Sequence, residues 1–141
     1  MSDRTMRYCL VRPDGEISFG SKSLHQIRAE IIDGGVGETG LEHLNSLYPV
    51  AAYYHVPFDK DDRRMNKAAN GMFWELSAPT PPGDDEYAEA QEHHPGDRVI
   101  KMRGLVAFID RHNWGLSTEN ERDLREAHQT AVERLRARGW L

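Results

Sequence analysis

Arg98-Val99-Ile100-Lys101-Met102-Arg103-Gly104-Leu105-Val106-Ala107-Phe108-Ile109 is the stretch of sequence that decides the fold. Polar and apolar residues alternate at its start, and its last five residues are all apolar, which is typical of a strand in the middle of a sheet. Gly104 lies between the two parts, where a bulge is expected. We therefore predict that residues 98–109 form the longest strand and the core of the sheet.

A β-hairpin is predicted near the start of the chain. Strand formers fill residues 6–12, and the turn residues Pro13-Asp14-Gly15 follow them. Residues 16–19 then alternate between polar and apolar, as a half-buried strand does. The residues expected to share one face of this hairpin are Tyr8 or Leu10 with Ile17 and Phe19.

Two main helices are predicted beside the sheet. Ser23 is a suitable N-cap for a helix that runs to Asp33 and carries apolar residues at helical spacing. Thr118 and Glu121 form the pattern of a capping box, and the second helix runs to about Ala137. Residues 50–56, between two prolines, predict a further strand. The fold class is therefore α+β: an antiparallel sheet of four or five strands with the two helices packed on one face.

Gly35-Val36-Gly37-Glu38-Thr39-Gly40 has the glycine spacing of a dinucleotide-binding loop. Such a loop needs a buried strand before it and a helix opening at its last glycine. A helix is predicted before it instead, so the glycines are interpreted as a helix end and a flexible connection. The alternative is that their amides converge on an anion at a helix start near Leu41.

Composition limits the classes of function. A chain of 141 residues with 38% hydrophobic and 29% charged residues predicts one soluble domain, with an exposed acidic and proline-rich insert at about residues 77–97. The net charge of −5 makes nucleic-acid binding unlikely, because such binding depends on neutralising phosphates. We expect no membrane segment, a cytoplasmic location, and Cys9 in the core. The spacing of the seven histidines weighs against a metal site, and the alternative is a divalent ion held by Glu89, Glu92 and His93 if that loop folds as a helix. We expect no metal and no cofactor.

One group of residues suggests a ligand site, and the alternative is a plain surface turn after a strand. Aromatic rings, guanidinium groups and amides close together in sequence can form a pocket for a base and a phosphate. The candidate binding residues are Tyr54, His55, Arg63, Arg64, Asn66 and Asn70. No catalytic residue can be assigned.

Short stretches of the chain resemble a family of small uncharacterised domains that is common in bacteriophages and in actinobacterial mobile elements. The marks are the extended opening at 10–15, the helix ending at Gly34-Gly35, the strand at 51–54, the patch Asn66-Lys67-Ala68-Ala69 and the strand at 100–108. The acidic insert and the charged C-terminal helix depart from that family. The resemblance implies a phage-related context and a small α+β fold, and it implies no activity.

Two classes of function follow. The first is a non-enzymatic accessory protein that binds a partner protein through the 77–97 insert or a sheet edge. The alternative is a protein or enzyme that binds a nucleotide or other small ligand in the pocket around residues 54–70. A homodimer through the exposed edge or the arginine-rich helix is compatible with both.

Overall fold

The computed structural model describes residues 4–32, 37–43, 50–57, 64–77, 102–110, 112, 114–139 and 141. Five strands and three helices lie within these ranges. In chain order they are β1 (Thr5–Val11), β2 (Ile17–Ser23), α1 (Leu24–Ile32), β3 (Gly37–His43), β4 (Val50–Pro57), α2 (Lys67–Ser77), β5 (Val106–Asp110) and α3 (Thr118–Ala137). The predicted α+β class is confirmed. Residues 78–97, most of the predicted insert, lie outside the described residues.

The five strands form one antiparallel sheet in the order β2-β1-β5-β4-β3. β5 is the central strand, as predicted, and all five of its residues are buried. The prediction that it is the longest strand was wrong, since its five residues make it the shortest of the described strands. The reason is that Gly104 adopts a φ of +71° and Arg103 forms an isolated bridge with Met65 instead of extending the strand. Residues 98–101, at the start of the predicted strand, lie outside the described residues.

Both faces of the sheet are apolar, so both need a helix. Val106 and Phe108 lie in a core with residues of α2 and α3, whereas Ala107 and Ile109 lie in a second core with Ile27 and Ile31 of α1. The prediction that α1 and α3 share one face was therefore wrong. The physical reason is that side chains alternate across a strand, and here both alternating sets are apolar. α2, which was not predicted, packs beside α3 on the same face of the sheet.

The prediction that Tyr8 or Leu10 shares a face of the hairpin with Ile17 and Phe19 was wrong. Val11 pairs with Ile17 and Cys9 pairs with Phe19, so these four residues share a face, and Tyr8 and Leu10 lie on the other. The turn explains this register. The Gly15 amide donates to the Arg12 carbonyl, and the Arg12 amide donates to the Glu16 carbonyl. The loop has three residues, 13–15, and Gly15 has a positive φ of +95°. Because the number of loop residues is odd, odd-numbered residues of β1 pair with odd-numbered residues of β2.

Side-chain caps define the starts of α1 and α3. The Ser23 hydroxyl accepts from the Gln26 amide, and the Gln26 side chain accepts from the Ser23 amide, as expected of an N-cap. The second capping box lies one residue earlier than predicted, since Ser117 and Asn120 make the reciprocal bonds instead of Thr118 and Glu121. Ser117 has extended backbone angles, which an N-cap requires, whereas Thr118 is already helical.

The described part of the glycine-rich segment, residues 37–40, does not form a phosphate loop. Residues 37–43 are strand β3, so no helix begins at Leu41. Gly40 pairs with Tyr54, and a Cβ at Gly40 would lie 2.7 Å from the Tyr54 ring. A glycine at this position therefore makes room for an aromatic ring on the neighbouring strand. The predicted helix end at Gly34 and Gly35 lies outside the described residues.

Asn66 joins three parts of the chain in the interior. Its Nδ2 donates to the Val11 carbonyl at 2.9 Å and to the Gly104 carbonyl at 2.8 Å, and its Oδ1 accepts from the Ala69 amide at 3.0 Å. The side chain is completely buried. It thus caps α2 and ties that helix to the end of β1 and to the segment before β5. Asn70 extends this network through bonds to both backbone polar groups of Met102.

Glu30 fastens α1 to the hairpin. Its carboxylate accepts from the Tyr8 hydroxyl at 2.8 Å and from the Lys22 ammonium at 2.9 Å. Burial raises the pKa of this carboxyl, but the hydrogen bonds from Lys22 and Tyr8 outweigh that effect, so the pKa lies below its usual value. The ionised form is therefore the one that holds α1 in place.

Replacing Asn66 with Asp should strongly destabilise the fold. The substitution keeps the shape but removes two donors, so that carboxylate oxygens face the carbonyls of Val11 and Gly104. We expect a loss of about 3 kcal/mol or more in the free energy of unfolding, measured by urea denaturation. Asn120→Ala, which removes an exposed capping side chain, is the control and should cost about 1 kcal/mol. Equal losses in the two variants would contradict this role for Asn66.

Replacing Glu30 with Gln should change how stability depends on pH. Because the folded pKa is depressed, the stabilisation by Glu30 is present above the unfolded pKa of about 4.3 and is lost as pH falls through the folded pKa. The variant should therefore be less stable than the wild type by up to about 1 kcal/mol at pH 6, and the difference should shrink towards pH 3. Urea denaturation at both pH values measures it. A difference that grows on acidification would contradict the assignment.

Candidate functional site

Among the residues predicted to bind a ligand, those that the structure describes do not converge on one pocket. Tyr54 and His55 are neighbours on β4, so they point to opposite faces of the sheet: Tyr54 packs on the α2–α3 side, and His55 is buried on the α1 side. Arg64 is exposed, and its carbonyl accepts from the Gly104 amide at 2.9 Å. Arg63 lies outside the described residues.

The two asparagines of the predicted site hold the fold. Both hydrogens of the Asn66 amide and its oxygen are bound to backbone groups, and Asn70 is 4% exposed. The Asn70 amide donates to the carbonyls of Asn66 and Met102 and accepts from the Met102 amide. A ligand that used either amide would have to displace these buried hydrogen bonds, each of which is costly to leave unmade.

Trp114 is the most unusual surface residue that the structure describes. Its relative exposure is 75%, compared with 44% for Val56 and 39% for Leu41, the other exposed large hydrophobic residues in the described part of the chain. It follows β5, at the end of the sheet where β1 begins. Arg4 lies over the indole ring, with the guanidinium carbon 5.4 Å from the ring centroid, a cation–π geometry. We call Arg4, His112 and Trp114 the tryptophan surface.

The backbone around Trp114 is held in place. Asp110, the last residue of β5, is 7% exposed, and its two carboxylate oxygens accept from the amides of His112 at 3.1 Å and Trp114 at 3.2 Å. Gly115 follows with a φ of +101°, and a Cβ at this position would lie 3.1 Å from the backbone nitrogen of Arg7. The Leu116 amide then donates to the Arg7 carbonyl at 3.2 Å. Trp114 is therefore exposed on a fixed turn.

An ion pair fixes the same end of the sheet to α3. The Arg7 guanidinium donates to both carboxylate oxygens of Glu121, at 3.1 and 2.9 Å. The hydrogen bond from Arg7 lowers the pKa of Glu121, against the smaller effect of burial. Two hydrogen bonds between the planar guanidinium and carboxylate groups constrain their relative orientation. The Arg7–Glu121 pair therefore positions the start of α3 beside the turn that carries Trp114.

Sequence reasoning did not identify the tryptophan surface. A lone Trp after a strand has no local pattern that distinguishes a buried ring from an exposed one. The available signals were an Asp at the end of an apolar strand, which commonly caps a turn, and a Gly directly after the Trp. These predict a tight turn, but its position against β1 depends on the contacts of Gly115 and Leu116 with Met6 and Arg7, which are distant in sequence.

A second surface feature lies beside α3. A groove of about 210 Å³ is lined by residues of α2 and α3, and a larger depression of about 500 Å³ continues along α3. Between them Arg134 donates to Glu75 at 2.6 Å. Burial raises the pKa of Glu75, and Arg134 offsets this effect only in part. The pair therefore joins α2 to α3, and its charges are engaged with each other.

The described residues contain no group of three His, Cys, Asp or Glu side chains that could hold a metal ion. None of their helices has both the length and the apolar character needed to cross a membrane. Comparison of the chain with protein-family models, curated proteins and solved structures finds no match. Function is therefore inferred from the geometry of the described residues.

Replacing Asp110 with Ala should release the turn that presents Trp114. Two amides lose a charged acceptor, and we expect a loss of about 1–3 kcal/mol in stability together with faster hydrogen exchange at the amides of His112 and Trp114. Asp110→Asn, which keeps one acceptor oxygen, should show a smaller effect. Unchanged exchange at both amides in the Ala variant would show that Asp110 does not hold the turn.

Proposed function

We propose that this chain acts by binding a partner protein, with Trp114 as the anchor of the contact. The observation that supports this is a Trp that is 75% exposed on a turn fixed by Asp110. Trp is enriched among the residues that dominate the energy of protein interfaces. Burying the exposed part of one indole contributes roughly 4 kcal/mol before the costs of association.

The fixed turn favours binding for a second reason. Association costs free energy for every side chain and loop that must be ordered. Here the backbone amides of residues 112, 114 and 116 already have hydrogen-bond partners, which reduces the ordering cost for these three residues. Arg4 over the ring adds a positive charge beside the apolar contact. The partner that fits best has an apolar pocket for the indole with an acidic residue at its rim.

The rest of the proposal rests on the sequence. A small chain without a recognisable catalytic motif favours a non-enzymatic accessory protein, for which we expect a cytoplasmic location. The net charge of −5 disfavours nucleic acid as its partner. The resemblance to small phage and mobile-element domains adds the expectation of a phage-related context. The residues 77–97 remain a candidate for a further contact with the same partner.

Replacing Trp114 with Ala should abolish or strongly weaken partner binding. The protein would be immobilised and exposed to a lysate of its source organism, and the captured proteins quantified by mass spectrometry. Leu41→Ala, which truncates another exposed hydrophobic residue, is the matched control. We expect at least one protein that is captured by the wild type and the control but not by Trp114→Ala.

The captured protein should then be purified and its affinity measured by calorimetry. Loss of the anchor is expected to raise the dissociation constant about 30-fold or more, which corresponds to about 2 kcal/mol. Both variants must retain the wild-type melting temperature for the comparison to hold. If Trp114→Ala captures the same proteins with the same affinity, Trp114 is not the anchor.

A further inference from the structure

β2 is an edge strand, and its outer side has no neighbouring strand among the described residues. The register shows which of its backbone groups point outward. The carbonyls of Arg7 and Val11 face away from β2, because they accept from the Leu116 amide and the Asn66 side chain. Their partners Ser21 and Ile17 therefore form non-hydrogen-bonded pairs with β1. The backbone polar groups of residues 17, 19 and 21 thus point outward.

The residues of β2 themselves lack the usual protection of an edge against pairing with another strand. Natural edge strands are commonly interrupted by proline, bulges or charged side chains. β2 is seven residues long, contains no proline, and pairs with β1 without a bulge. Its one charged residue is Lys22, whose ammonium group is held 2.9 Å from Glu30 of the same chain. The opposite edge, β3, carries Glu38 and Glu42 among its seven residues.

We propose that β2 pairs antiparallel with β2 of a second copy, about a two-fold axis through Gly20. This register places residue 17 opposite 23, 18 opposite 22, 19 opposite 21, and Gly20 opposite its own copy. It sets the outward-pointing residues 19 and 21 of one strand against residues 21 and 19 of the other, as an antiparallel ladder requires. The Ser23 amide stays bound to the Gln26 side chain at the end of the ladder. The two five-stranded sheets would become one continuous sheet.

The side chains of β2 are compatible with this pairing. Lys22 meets Ser18 of the second copy, so no like charges lie directly opposite each other. Phe19, which is partly buried under Arg125 of α3, lies diagonal to its own copy within reach of an aromatic contact. A symmetric pairing of β3 would instead bring glutamates of the two copies close together. Charge therefore favours β2 over β3 as the edge that self-associates.

Cysteine cross-linking tests the position of the axis. In the proposed register the two Gly20 Cα atoms are about 4.5 Å apart, within the range of a disulfide, whereas the two Ser18 Cα atoms are about 14 Å apart. Gly20→Cys should therefore form a disulfide-linked dimer under mild oxidation, and Ser18→Cys on the same face should not. A Cβ at Gly20 would lie 3.4 Å from the Tyr8 ring, which is ordinary contact. The native Cys9 is completely buried, so it does not compete.

Charge substitution at Ser18 tests the same register without a cross-link. In a Ser18→Lys dimer the new lysine lies opposite Lys22 of the second copy, and this repulsion occurs twice in each dimer. The dissociation constant of the dimer should therefore be about tenfold higher than for Ser18→Glu, which places opposite charges there. Sedimentation velocity over a range of concentrations measures this. Circular dichroism confirms that each variant is folded, which is expected because Ser18 is exposed.

The outcomes separate clearly. A wild-type dimer, selective cross-linking of Gly20→Cys and weaker association of Ser18→Lys support the proposal. A monomer at every concentration, equal cross-linking at both positions, or equal association of the two charge variants would overturn it. Trp114→Ala should leave self-association unchanged, so this test is independent of the proposed partner contact.

Discussion

One buried amide holds the architecture together. Asn66 binds the end of β1, the segment that precedes β5 and the first turn of α2, which are 55, 38 and 3 residues away along the chain. These bonds determine where α2 starts and how the chain enters the central strand. A buried amide that satisfies all its hydrogen bonds specifies one arrangement, because any shift of the three segments leaves polar groups unpaired. The two cores and the position of α3 against α2 all depend on that arrangement.

The sheet has two apolar faces, and this property explains why helices pack on both faces while the edges and ends of the sheet remain exposed in the described part of the chain. α1 covers one face, and α2 with α3 covers the other. Among the described residues the sheet then offers two edges and its two ends to solvent. The contact proposed for a partner protein lies at one end, where β5 leads into the turn with Trp114, and the contact proposed between copies lies along an edge. Both proposed contacts lie outside the cores, because the residues with strong hydrophobic patterns in the sequence are buried in the two cores.

The ease of prediction differed between elements for identifiable reasons. The hairpin, β4, α1 and α3 carry local signals, namely turn residues, flanking prolines and capping residues, and each was predicted close to its observed place. The apolar run identified the central strand, but not where that strand begins. α2 was missed because Asn70 and Gly71 are poor helix formers, and its stability comes from Asn66 and from packing against α3. β3 was missed because its glycines suggested a loop, although Gly40 is required there by the Tyr54 ring. The ligand site was predicted from residues adjacent in sequence, but alternation along β4 separates Tyr54 from His55.

The sequence by itself determined the class of fold, the hairpin and the apolar strand at its centre, because these depend on local backbone preferences and on the period of hydrophobic residues. Only the tertiary structure decided which face each helix covers, that Asn66 and Asn70 bind backbone instead of being available to a ligand, and that Trp114 is exposed. The physical reason is that burial and hydrogen-bond satisfaction are set by partners distant in the chain, such as Val11 for Asn66 and Arg7 for the turn of Trp114.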